Sequence, residues 1–157
     1  MKRLILLLVA LTAVTAVGVA YAATYTGTSG ADTISGNCPS DTIDGRGGND
    51  TLYGDPEDAT GCSPAGNDTI YGGPGSDWME GNLGGDRIEA AGGGACCASY
   101  ADQNWLWGGG NGDTLAAANC GQDILRAGEG PDICYYDQRD SIENGSCDTA
   151  YYRPQSC

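Results

Sequence analysis

A nine-residue period governs this chain. Two successive units set it out: Gly72-Gly73-Pro74-Gly75-Ser76-Asp77-Trp78-Met79-Glu80 and Gly81-Asn82-Leu83-Gly84-Gly85-Asp86-Arg87-Ile88-Glu89. Each has Gly first and fourth, Asp sixth, and a large apolar residue eighth. The frame also holds in Gly27–Ser35, Gly36–Asp44, Gly45–Tyr53, Ser63–Tyr71 and Gly108–Ala116. Ser99–Trp107 follows it with Asn104 at the sixth place. After one extra residue it resumes as Ala118–Arg126 and Ala127–Tyr135. Gly54–Cys62 and Ala90–Ala98 keep the length but carry Ala59 and Ala95 where the Asp should be. Self-similarity at a short fixed period marks a repeat architecture and not an ordinary packed globule.

Each place in the unit has a physical reading. Gly at the first and fourth places permits backbone conformations that a Cβ would forbid, and lets carbonyl oxygens approach one ion. Asp at the sixth supplies a hard anionic oxygen. The last three residues suffice for a short strand whose middle side chain points inward. That middle place reads Ile34, Ile43, Leu52, Ile70, Met79, Ile88, Leu106, Leu115 and Leu125, one apolar column for each of two sheets. Such a core is thin, and burial alone does not easily offset the entropy of ordering the chain. Stacked Asp side chains repel one another as well. A bound cation is therefore expected to be a condition of folding.

Composition supports this and excludes alternatives. The chain has 21 acidic and 7 basic residues, a formal charge of −14, and no His. Without His there is no imidazole base, no Ser-His or Cys-His nucleophile and no His-ligated zinc. The negative charge argues against nucleic acid and anionic lipid as partners and favours cations. Nine of the sixteen Asp fall on the sixth place of the repeat frame. Asp44, Asp55, Glu57, Asp58, Asp102 and the acids of the tail lie off it and read as solvated surface. No catalytic pair stands out, and the chain reads as a non-enzyme.

The repeat resembles the RTX, or haemolysin-type, calcium-binding nonapeptide, G-G-x-G-x-D-x-U-x. The resemblance spans Gly27 to Tyr135. It implies an all-β parallel β-roll in which the first six residues of each unit form a turn binding Ca²⁺ and the last three form a strand. It implies several Ca²⁺ ions. Their ligands would come from turns containing Asp32, Asp41, Asp50, Asp68, Asp77, Asp86, Asp113, Asp123 and Asp132, with Gly27, Gly45, Gly47, Gly72, Gly81 and Gly108. Two units make one coil in that fold, so alternate units would stack. One side would then carry Asp32, Asp50, Asp68, Asp86, Asn104 and Asp123. The other would carry Asp41, Ala59, Asp77, Ala95, Asp113 and Asp132. On that register calcium binding is uneven, and loss of Asp32 or Asp68 costs more than loss of Asp41.

The remaining features concern location and surface. Lys2 and Arg3, the apolar run Leu4–Ala20 and the Ala20-Tyr21-Ala22 site read as a signal peptide over residues 1–22, removed on secretion. The roll is expected over 23–135 and a C-terminal cap or tail over 136–157. The eight cysteines, Cys38, Cys62, Cys96, Cys97, Cys120, Cys134, Cys147 and Cys157, read as disulfides of an exported protein. Because the broken units carry cysteines, candidate bridges are Cys38–Cys62, Cys96 or Cys97 with Cys120, and Cys134–Cys147, the last tying the cap. The expected product is a small secreted monomer, structural or adhesive, with no membrane contact after cleavage. The alternative is recognition of a glycan or a cell-surface protein through outward aromatics, with Tyr53 and Tyr71 as neighbours and Trp107 in the same column. Rows of Thr at the seventh place bring ice binding to mind, but Trp78, Arg87 and Trp105 interrupt them.

Overall fold

From the second strand onward, each strand starts directly after an Asp or Asn, at the seventh place of a repeat. The computed structural model describes residues 21–57, 61–90, 102–117, 119–143 and 146–154. The strands alternate between two parallel sheets. One sheet holds β1 (Thr24–Thr26), β3 (Thr42–Asp44), β5 (Thr69–Tyr71), β7 (Arg87–Glu89), β9 (Thr114–Ala116), β11 (Ile133–Tyr136) and β13 (Thr149–Tyr152), in that order. The other holds β2 (Thr33–Ser35), β4 (Thr51–Tyr53), β6 (Trp78–Leu83), β8 (Trp105–Gly110), β10 (Ile124–Glu129) and β12 (Ser141–Ile142). The chain therefore winds as a parallel β-roll, two strands and two turns per coil.

Side chains alternate along a strand, so a three-residue strand sends only its middle residue inward. In the first sheet the inward column runs Tyr25, Ile43, Ile70, Ile88, Leu115, Cys134. In the second it runs Ile34, Leu52, Met79, Leu106, Leu125, Ile142. Ile43, Leu52, Ile70, Met79, Ile88, Leu115 and Leu125 are wholly buried. This narrow seam is the hydrophobic core. Each such side chain contributes about 1.5–3 kcal/mol by burial. Because the seam is one residue wide, Leu106→Ala should cost about 2–5 kcal/mol. Denaturant unfolding in excess calcium measures that loss; a cost under about 1 kcal/mol would contradict a core this thin.

The register corrects the expected stacking. Thr42, Ile43 and Asp44 pair with Thr69, Ile70 and Tyr71, 27 residues on, and not with a strand 18 residues on. Thr51 to Tyr53 pair with Trp78 to Glu80, again 27 on. Gly54–Cys62 forms no strand among its described residues. Those nine residues lengthen the turn between β4 and β5, and the connection between β7 and β8 is longer by the same nine residues. The reason lies at the eighth place. It holds Gly61 in one broken unit and Cys97 in the other, so neither offers a large aliphatic side chain to the seam. Each enlarged turn reverses which side the following units occupy.

The C-terminal cap is tied as expected by Cys134–Cys147, whose Cα atoms lie 5.9 Å apart. β13 extends the first sheet, with Tyr151 stacked on Tyr135 at 5.3 Å and Tyr152 edge-on to Tyr136 at 5.7 Å. Cys38 and Cys62 are also bonded. Cys96, Cys97 and Cys157 fall outside the described residues, as does all but Tyr21 and Ala22 of the expected signal segment. No described helix is long and apolar enough to cross a membrane.

Candidate metal centre

The register creates two rows of acidic side chains, one along each edge of the roll. Turns entering the first sheet contribute Asp41, Asp68, Asp86, Asp113, Asp132 and Asp148. Turns entering the second contribute Asp32, Asp50, Asp77, Asn104, Asp123 and Asp140. Within a row each member joins the next in the same way. The Asp41 N–H donates to Asp68 Oδ1 at 2.7 Å, Asp68 N–H to Asp86 Oδ1 at 2.8 Å, and Asp86 N–H to Asp113 Oδ1 at 2.8 Å. In the other row Asp32 N–H donates to Asp50 Oδ1 at 2.8 Å and Asp50 N–H to Asp77 Oδ1 at 2.9 Å. One carboxylate oxygen per Asp is thus spent on holding coil to coil.

The second oxygen has no donor. Oδ2 of Asp50, Asp68, Asp77, Asp86, Asp113, Asp123 and Asp132 is buried and without a hydrogen-bond partner. An orphaned buried acceptor costs about 1–3 kcal/mol, and more when charged. The first-place glycine explains where it points. A Cβ on Gly45 would lie 2.5 Å from Asp50 Oδ2 and 2.8 Å from the carbonyl oxygen of Gly72, in the next turn. A Cβ on Gly72 would meet Asp77 Oδ2 at 2.5 Å and the Ala90 oxygen at 2.9 Å. Gly27, Gly36, Gly54, Gly81 and Gly108 show the same two neighbours. Each first-place glycine thus opens a cradle between a carboxylate oxygen and a backbone carbonyl, and at Gly45, Gly54, Gly72, Gly81 and Gly108 that carboxylate oxygen has no donor. The second and fourth places impose a different demand: Gly73 and Gly75 have φ of 97° and 138°, a region costly for a side chain.

Burial without a counter-charge raises the carboxyl pKa values. Asp86 is pushed up to about 8, chiefly by desolvation and then by Asp113 and Asp68. Desolvation is also the largest cause at Asp113 and Asp123, both raised to about 7, and at Asp68 and Asp77, both raised to about 6. Asp50 and Asp132 rise for the same reason.

These donors fit calcium. They are all oxygens, they are anionic and they face backbone carbonyls, which suits a hard cation that takes 6–8 oxygen ligands. No three acidic, Cys or His side chains are placed to hold one metal ion by themselves among the described residues. A cation here must therefore draw on carbonyls as well as carboxylates, which is what the cradles offer. Three turns depart from this pattern. Ala118 and Ala127 stand at the first place in the units of Asp123 and Asp132, and a third turn has Ala90 and Asn104 where it should have Gly and Asp. Asn104 Oδ1 accepts from Asp77 N–H at 2.8 Å, and Asn104 Nδ2 donates to Asp123 Oδ1 at 2.9 Å. A neutral amide satisfies both neighbours there and leaves no free anionic oxygen.

The expected residues are thus distributed differently from their reading in sequence. Asp32 and Asp50 are stacked as expected, but Asp50 continues to Asp77 and not to Asp68. Asp41, far from isolated, begins the row of Asp68 and Asp86. The register on which the expected imbalance between Asp32 or Asp68 and Asp41 rested is therefore not the one observed. Oδ2 of Asp32 and Asp41 accepts the backbone N–H of Thr28 and Asn37, each at 2.6 Å, so the N-terminal turns are partly satisfied already. Gly47 is outside the cradles, since a Cβ there would find Pro74 O at an ordinary 3.6 Å. Tyr71 lies on the opposite sheet from Tyr53 and Trp107. On their sheet Tyr53 and Trp107 flank Glu80, beside Trp78 stacked on Trp105 at 6.2 Å. Asp55, expected at the surface, is fully buried. So is the acid of the cap, Asp137, which accepts the N–H of Cys120 at 2.8 Å.

An all-β roll of glycine-aspartate turns defines a class of repeat protein, and comparison with protein families agrees. The model of the RTX calcium-binding nonapeptide repeat (4 copies) matches residues 17–37, 26–58 and 65–94. The matched repeats are similar to that family's calcium-binding nonapeptides. No curated protein and no solved structure gave a significant match.

Proposed function

We propose that this chain is a secreted calcium-binding structural module whose roll winds only when Ca²⁺ occupies its turns. The supporting observation is the row of buried Oδ2 atoms without donors, five of which, on Asp50, Asp68, Asp77, Asp86 and Asp113, are set against a carbonyl in a glycine cradle that a methyl group would fill. Such a row is costly without a cation and favourable with one. Export to a calcium-rich exterior would then couple folding to arrival, and the disulfides would hold the finished roll. Adhesion or scaffolding suits a rigid rod with no catalytic cluster assigned to it. Circular dichroism during a calcium titration of the oxidised protein tests the reading. A cooperative gain of β-signal at submillimolar to millimolar calcium, with magnesium far weaker, is the expected result. A full β-spectrum in excess chelator, unchanged by calcium, would sink it.

A second reading rests on one patch. Trp78, Trp105 and Trp107 lie on adjacent strands of one sheet, with Arg126 stacked 4.9 Å over the Trp107 ring. Side-by-side indoles suit the faces of sugar rings. A glycan array run with and without calcium would reveal such binding, and Trp78→Ala should abolish it.

A further inference from the structure

Asp55 stands outside the motif, yet its carboxyl is among the most completely buried groups in the protein. Its relative exposure is 0%, and neither carboxylate oxygen has a hydrogen-bond partner. It occupies the second place of the enlarged turn, directly after Gly54. The Gly54 Cα faces Asp68 Oδ2, itself without a donor, and the Gly81 carbonyl. The Gly54 carbonyl in turn faces Gly36 and Asp41 Oδ2 in the preceding turn of the same row. At the second place of that preceding turn lies Asn37. Its Nδ2 donates to Tyr25 Oη at 3.0 Å, and its Oδ1 is buried without a partner. Three orphaned acceptor groups, from Asn37, Asp55 and Asp68, thus belong to two adjacent turns.

The disulfide adds an independent observation. It joins Cys38, next to Asn37, to Cys62, within the enlarged turn that carries Asp55, with Cα atoms 5.0 Å apart. It therefore pins the enlarged turn against the turn of Asn37. Among the described residues, neither the Arg87–Glu89 nor the Arg126–Glu143 ion pair involves Asp55. The charges around it are the carboxylates of Asp41, Asp68 and Asp86. The Asn82 side chain donates to the backbone oxygen of Asp55 at 3.1 Å, and the neighbouring Leu83 N–H lies near the carboxylate without completing a hydrogen bond to it. A carboxylate buried among carboxylates, with no cationic side chain acting on it among the described residues, calls for a cation from outside.

We propose that Asp55 is a calcium ligand beyond the repeat motif, and that with Asn37 and Asp68 it forms a further Ca²⁺ site clamped by the Cys38–Cys62 bridge. The inference rests on the calcium reading above. A site supplied with two carboxylates and an amide carries more negative charge than a motif turn with its one free carboxylate oxygen. It should therefore be the tighter kind.

Equilibrium dialysis with ⁴⁵Ca²⁺ on the oxidised full chain tests this, comparing wild type, Asp55→Asn and the surface control Glu129→Gln. Asp55→Asn should bind one ion fewer, or bind its tightest ion at least tenfold more weakly, while Glu129→Gln matches wild type. Thermal melts in chelator supply the second readout. There Asp55→Asn should melt no lower than wild type, because a buried orphan charge has been removed. Unchanged ion number and affinities in Asp55→Asn would overturn the proposal. So would equal destabilisation with and without calcium, which marks a packing role. Failure of the wild type to bind any calcium would instead overturn the calcium reading, and this site with it.

Discussion

Stripping calcium from the protein should remove most of its β-structure, and the loss should be greatest at high pH. A cation present at 1,000 times its dissociation constant stabilises the folded state by about 4 kcal/mol per site. Several such sites together match or exceed the usual net stability of a domain, about 5–15 kcal/mol. The metal-free roll must carry its buried carboxylates alone. Asp86 holds its proton up to about pH 8, Asp113 and Asp123 to about 7, and Asp68 and Asp77 to about 6, all from 3.8 in the unfolded chain. Between pH 4 and pH 8 the metal-free folded state therefore binds more protons than the unfolded one. Its stability rises as the pH falls through that window and declines as the pH rises. Calcium reverses the slope, because protons compete with the ion for the same oxygens. Melting temperatures from pH 4 to pH 9, in chelator and in calcium, should thus trend in opposite directions. Parallel curves would rule out buried carboxylates as the ligands.

Asp86→Asn should change the sign of its effect with calcium. Asp86 is 2% exposed, donates its N–H to Asp113, and leaves Oδ2 without a partner. The chain already contains the substituted arrangement at Asn104, whose amide bonds both of its neighbours in the row. In chelator the variant should be more stable than wild type by about 1–3 kcal/mol, the scale of a relieved buried acceptor. In saturating calcium it should be less stable, with the affinity at that turn down at least tenfold, or about 1.4 kcal/mol. The reverse exchange, Ala90→Gly with Asn104→Asp, should add one bound ion and make the metal-free roll less stable. Paired denaturant titrations decide the matter. Destabilisation of Asp86→Asn under both conditions would mean that its carboxylate serves packing and not a cation.

Much of this architecture is legible in the unit itself. The Asp77-Trp78-Met79-Glu80 step from turn to strand, the inward Met79 and the cradle at Gly72 all follow from which residue stands at which place. These are local matters. A Cβ at the first place collides with an oxygen five residues away, and a three-residue strand can point only its centre inward. The candidate bridges Cys38–Cys62 and Cys134–Cys147, suggested by the places where the motif breaks, are likewise found in the fold.

What lies beyond the unit is different. Whether Asp41 stacks on residue 59 or on Asp68 depends on whether Gly54–Cys62 winds as a coil or bulges out as a turn. A constant spacing of nine is compatible with both. The decision is made by burial: a unit with Gly61 at its eighth place has nothing to add to the seam, so its described residues form no strand and the chain stacks the next unit instead. That choice moves Tyr71 away from Tyr53 and sets Asp41 in a row with Asp68. It also buries Asp55, which in sequence looks like any surface acid. The sequence by itself determined the turn, the strand and the chemistry of the ligand. The tertiary structure decided which turns face each other, because stacking is selected by apolar contact between units, and no single unit contains that information.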